Sequence, residues 1–163
     1  MLWQTDAYHT ERKERITRMA SMTRSEAREE IFYLLFESEF HQDKSPEEIL
    51  SLATEVRGFG ENCKERQQEY IRRVYFGVQE KREEIDGYIS KHSNGWRPDR
   101  IAPVSRNILR LCIYEMRYEE DVPTAVALNE AIELTKKFDD PKAKSFVNGI
   151  LHSVKTELEE QTV

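Results

Sequence analysis

Apolar residues recur along this chain at intervals of three and four rather than two. Ala27, Ile31, Leu34 and Leu35 return at helical spacing, and the pattern runs to about Phe40 before His41-Gln42-Asp43-Lys44 breaks it. Its start is marked by Thr23-Arg24-Ser25-Glu26, the form of a capping box, in which hydroxyl and carboxylate satisfy the free amides of a helix start. Ser45-Pro46-Glu47-Glu48 repeats that logic with Pro at the first helical position, and Gly58 supplies a C-terminal cap, so a second helix is expected over about 46–57. From about Cys63 to Lys91, residues Ile71, Val74, Tyr75, Val78, Ile85 and Ile89 keep the period, and Gly77 and Gly87 could each permit a bend. One long helix or two is predicted there.

Trp96-Arg97-Pro98-Asp99-Arg100 reads as a connection, after which Pro103 starts a helix through about Glu119 and Pro123 opens the next. The last helix follows Asp140-Pro141 and carries Ala143, Val147, Ile150, Leu151, Val154 and Leu158 on one stripe. No alternating run suggests a strand. The pattern predicts an all-α domain, a compact assembly of six to seven helices.

The helix from Pro103 should be central, because a step of about 100° per residue puts Val104, Ile108, Leu109, Leu111, Cys112, Ile113 and Met116 on half its circumference. Arg106, Arg110 and Arg117 fall in the remaining wedge, so three guanidinium groups are expected on one exposed strip, as a cationic surface or as surface ion pairs. Glu115 points into the apolar arc, where an unpaired carboxylate is costly and a partner is expected. On the first helix Arg24, Arg28, Phe32 and Phe36 follow at intervals of four. Such a basic-aromatic ladder suits single-stranded RNA, with Arg on phosphate and a ring under an unpaired base; core packing is the competing reading for both rings. Lys142 and Phe146 form a similar pair on the last helix, with Phe146 at the border of the apolar stripe. Gly149 in mid-helix suggests a neighbouring helix approaching closely, and Asn148 beside it suggests a bridge between helices.

Composition narrows the function classes. The 163 residues suffice for one domain with a core but not for an added catalytic domain. No apolar run nears the roughly 20 residues of a membrane span, and the N-terminus lacks the apolar centre of a secretory signal, so a cytoplasmic protein is expected. Cys63 and Cys112 stand alone, and His9, His41, His92 and His152 are scattered. No metal site, cofactor or catalytic residue is predicted, and an enzyme is not expected. A net charge of -6 means that any RNA site must be local. Residues 1–21, with Arg12, Lys13 and Arg15 among acids, read as an N-terminal extension, a solvated tail or an addition to the first helix, with Met22 as an alternative start.

Three ordered segments carry a resemblance: Ala102-Pro103-Val104-Ser105-Arg106-Asn107-Ile108-Leu109-Arg110-Leu111, then Val126 to Leu134, then Phe146-Val147-Asn148-Gly149-Ile150-Leu151. They resemble the C-terminal signature segments of the NusB family of bacterial transcription antitermination factors. The resemblance makes residues 22–160 a NusB-like RNA-binding domain. It implies two small helical bundles and the capture of single-stranded boxA RNA of ribosomal RNA transcripts together with NusE, a small-subunit ribosomal protein, in the polymerase antitermination complex. By that resemblance Arg24, Arg28, Phe36, Arg106, Arg110 and Phe146 would face RNA, with Lys142 joining them through its spacing from Phe146, and Asn129, Glu130 and Glu133 would face NusE. Some members self-associate, so a homodimer without the partner is compatible with it. Glu26, Glu29 and Glu30 depart from the more basic family pattern and keep open a protein-interaction module with weak or lost RNA binding. Similar helical domains also precede the catalytic part of certain ribosomal RNA methyltransferases, but neither a cofactor-binding stretch nor a catalytic Cys motif follows Val154.

Overall fold

The computed structural model describes residues 2–59 and 63–162, with side chains apart from those of residues 2–6, 18 and 19. The described residues form eight α-helices and one short 3-10 turn, and no strand. The helices are α1 (Leu2–Ala20), α2 (Arg24–Phe40), α3 (Pro46–Arg57), α4 (Glu65–Glu80), α5 (Arg82–His92), α6 (Pro103–Tyr118), α7 (Thr124–Phe138) and α8 (Ala143–Gln161), with the turn η1 at Pro98–Arg100. Seven of these follow residue 23, in keeping with the sequence pattern; the eighth lies in the segment read as an extension. None is long and apolar enough to cross a membrane. The chain divides into two compact units, Met1–Arg73 and Val74–Val163.

In the first unit, α2 and α3 begin as the sequence dictates. Thr23 Oγ1 accepts the Glu26 amide at 3.1 Å while Glu26 Oε2 accepts the Thr23 amide at 2.8 Å. Ser45 and Glu48 close the second box with Pro46 behind the cap. Gly58 ends α3 in the left-handed region at φ 72°, where a side chain would be strained. Across α2 and α3, Ala27, Ile31, Leu34, Leu35, Ile49, Leu50 and Ala53 are buried. Arg57 ties α3 to α2 through Glu30 and Glu37, each at 2.6 Å. The segment before residue 22 is a helix of its own, separated from α2 by Ser21-Met22-Thr23. Most of its described side chains are exposed, and Arg15 Nη1 donates to the Val56 carbonyl at 3.2 Å near the end of α3.

The second unit is built around α6, whose residues Ile108, Leu109 and Ile113 are fully buried. α5, α7 and α8 pack against it. The stretch from Cys63 to Lys91 is two helices, and the break falls at Lys81 rather than at either glycine. Gly77 serves close approach instead: a Cβ there would lie 2.6 Å from Cε2 of Tyr114 on α6. α8 is tied to the end of α5 by Glu157, which accepts from Lys91 at 2.6 Å and lies 2.5 Å from His92 Nε2. These hydrogen bonds hold the Glu157 carboxyl below its ordinary value.

Gly149 does not behave as its mid-helix position suggested. It is exposed, and nothing lies within 4 Å of a Cβ built on it, so no helix approaches there. Gly149→Ala should therefore raise the unfolding midpoint by the equivalent of about 0.5–1 kcal/mol, the difference in helix propensity, as measured by urea denaturation.

Candidate nucleic-acid interface

On α4, Arg66, Tyr70 and Arg73 are spaced by four and three residues, which places them within about 60° of one another around the helix. That strip meets the N-terminal turns of α2. The Arg24 guanidinium lies 3.9 Å from the centroid of the Tyr70 ring, and those of Arg28 and Arg73 each lie 5.8 Å from it. Tyr70 is 1% exposed, so its ring is a buried platform for cations. The Arg24 guanidinium sits below its ordinary value, first because burial desolvates it and then because Arg66, Arg28 and Arg73 repel its charge; Tyr70 opposes the shift. Arg24 Nη1 is buried without a hydrogen-bond partner. The i, i+4, i+7 spacing of Arg66, Tyr70 and Arg73 is visible in the sequence, but only the fold shows that it faces Arg24.

The ladder on α2 is split by the same fold. Arg28 and Phe32 are each 3% exposed, so neither forms a rung open to solvent. Each step of four advances about 40°, which carries Phe36 some 120° around α2 from Arg24. Phe36 is half-buried in an aromatic row, its centroid 6.0 Å from Phe32 and 4.8 Å from Phe40, and Phe40 is largely exposed.

The arginine strip expected on α6 also changes in the second unit. Arg110 is buried and donates twice to Asp86 on α5, Nε to Oδ1 at 2.8 Å and Nη2 to Oδ2 at 2.9 Å. Arg106 Nη1 donates to the carbonyls of Pro98 and Ile101 at 2.9 and 2.8 Å. α5 and the η1 connection supply these acceptors, so of the three only Arg117 is exposed, 3.8 Å from Glu84. Glu115 is fully buried on α6, as its position in the apolar arc requires.

Lys142, at the N-terminal boundary of α8, is exposed, and its amide donates to Asp140 Oδ1 at 2.9 Å. Phe146, one turn on, is 37% exposed, neither a core ring nor a free one. Asn148 does not form the expected bridge; its Oδ1 is buried with no hydrogen-bond partner. On α7, Val126, Asn129, Glu130 and Glu133 follow at i, i+3, i+4 and i+7 and share one face. Asn129 and Glu133 are exposed and Glu130 half-exposed, while Ala127, Leu128, Ala131 and Leu134 turn into the core. Glu133 pairs with Lys136 at 3.2 Å on the surface.

Comparison with known proteins agrees with this architecture. The model of the NusB family matches residues 25–156. A transcription antitermination protein NusB of Bacillus pumilus is 40% identical over 140 residues, 86% of this chain and all of the relative. That of Lachnoclostridium phytofermentans is 41% identical over 82% of this chain and 98% of the relative. Among solved structures, T. maritima NusB superimposes with a TM-score of 0.76 at 34% identity, covering 83% of this chain and 92% of that one. A chain from the complex of antitermination factors NusB and NusE with double-stranded RNA gives a TM-score of 0.72 at 28% identity, covering 83% of this chain and 99% of that one. With its helices, capping boxes and three signature segments in place, the chain belongs to the NusB family.

Proposed function

We propose that this protein is a transcription antitermination factor that captures single-stranded boxA RNA of ribosomal RNA transcripts together with NusE. The observation that carries the reading is the likeness over four fifths of the chain to a protein solved with both NusE and RNA. It acts by binding, within the polymerase antitermination complex in the cytoplasm. In the first unit Arg24, beside the Tyr70 ring, supplies charge for phosphate; in the second, Lys142 supplies charge and Phe146 a ring for an unpaired base. Arg28, Arg106 and Arg110 hold the scaffold, since burial or internal acceptors occupy them. Phe36, rotated away from Arg24, retains a half-exposed ring for a separate contact. The shared face of Asn129, Glu130 and Glu133 is the surface offered to NusE.

The test is a titration with boxA and scrambled oligonucleotides, with and without NusE, at two salt concentrations. Selective binding that strengthens with NusE supports the reading. Equal affinity for both RNAs would instead favour a protein-interaction module of this fold. Phe146→Ala should weaken boxA binding by about 5- to 100-fold, the range for loss of one stacked base, while moving the unfolding midpoint by under about 1 kcal/mol because the ring is already part exposed. A stability loss of about 3–5 kcal/mol, typical of a deleted core ring, would remove Phe146 from the interface.

A further inference from the structure

We infer that Arg66 and Arg73 of α4 join Arg24 in a clamp for the sugar-phosphate backbone of single-stranded RNA, an inference that rests on the RNA-binding reading above. Arg66 and Arg73 are exposed, lie about 10 Å apart along α4 and project on the side that carries Tyr70. Their separation is long enough to meet more than one phosphate. Tyr70 itself is closed to a base, because it is buried with Arg24 over one face. The site is therefore suited to charge rather than to base recognition.

Two acids of α2 have partners outside this cluster. Glu30 accepts from Arg57, and Glu26 accepts the Thr23 amide in the capping box. Glu69 pairs with Arg73 at 3.2 Å, but both side chains are well exposed, and such a pair is worth at most about 1 kcal/mol. A phosphate oxygen can replace that carboxylate with stronger, bidentate geometry. Arg24 adds a buried donor that no protein acceptor satisfies, set among guanidiniums that repel one another. An anion relieves both costs at once, and a polyanion does so while bridging from Arg66 to Arg73.

The experiment compares the full chain with Arg66→Gln, Arg73→Gln and the double variant, using Arg12→Gln on α1 as a surface-charge control. Labelled boxA RNA, a scrambled RNA and inorganic tripolyphosphate are the probes. Each cluster variant should lower affinity for both RNAs about tenfold and reduce the log-log salt slope by about 0.7 per lost phosphate contact, with the unfolding midpoint unchanged. Tripolyphosphate should compete with RNA on the unsubstituted chain and lose that ability in the double variant. Slopes equal to that of Arg12→Gln, alongside retained boxA selectivity, would overturn the clamp and leave the functional reading standing. Equal binding of boxA and scrambled RNA with reduced slopes would do the reverse. Failure of the unsubstituted chain to bind any of the three probes would overturn both.

Discussion

Asp86→Ala should lower the stability of this protein by about 3 kcal/mol, one of the largest single effects expected of a polar substitution here. Arg110 is only 5% exposed, and its guanidinium directs two hydrogen bonds of 2.8 and 2.9 Å at the two Asp86 oxygens. Removing the acid leaves a desolvated cation on the central helix with two of its donors abandoned, and that cost far exceeds the net worth of an intact pair. For a chain of this length the loss corresponds to a fall in Tm of about 6–12 °C. Replacing both partners with apolar residues, as in Asp86→Leu with Arg110→Met, should recover much of it, because no charge is then stranded. The measurement is thermal unfolding of the two single variants and the double, beside a boxA titration. Asp86→Ala with unchanged Tm and altered RNA affinity would mean that the guanidinium is turned outward, and would return Arg110 to the RNA face.

The sequence pattern placed the helices well because its signals are local. Both capping boxes join residues three apart, Gly58 caps its own helix, and the i, i+4 periodicity of α2 needs no knowledge of the rest of the chain. Asn129, Glu130 and Glu133 came from the family resemblance rather than from periodicity, and the structure adds that they share one face of α7 with Val126. The pairing of Arg110 was not legible, since its acceptor is 24 residues away on a helix that covers the supposedly open wedge. Arg28 is similar: an interval of four from Arg24 fixes its direction on α2 but not its burial to 3% exposure, 5.8 Å from the Tyr70 ring of α4. The cluster around Tyr70 escaped a reading of single helices because its charge is divided between α2 and α4, neither of which is conspicuously basic alone. For residues 1–21 the sequence leaves open a solvated tail or an addition to the first helix, and the structure forms a separate 19-residue helix there, Leu2–Ala20.

Gly77→Ala should destabilise the protein by about 1–3 kcal/mol, the usual cost of forcing an extra group into a filled core. Helix propensity alone argues for the opposite sign, since Ala is favoured over Gly by about 1 kcal/mol inside a helix such as α4. Sterics decide the outcome: an added Cβ would fall 2.6 Å from Cε2 of Tyr114 and onto its hydroxyl end. Tyr114 is only 8% exposed and stacks with Tyr118 at a centroid distance of 5.2 Å, so its ring has little room to withdraw. α4 and α6 must then separate or the ring must leave its rotamer. Tyr114→Phe in the Gly77→Ala background should restore part of the loss by removing the overlapping hydroxyl. The comparison with Gly149→Ala makes this a test of packing rather than of glycine itself, because the two substitutions share the same propensity gain and differ only in what faces the new methyl group. Opposite shifts in the urea midpoint are expected. A rise in both would show that α4 does not approach Tyr114 as closely as the structure places it.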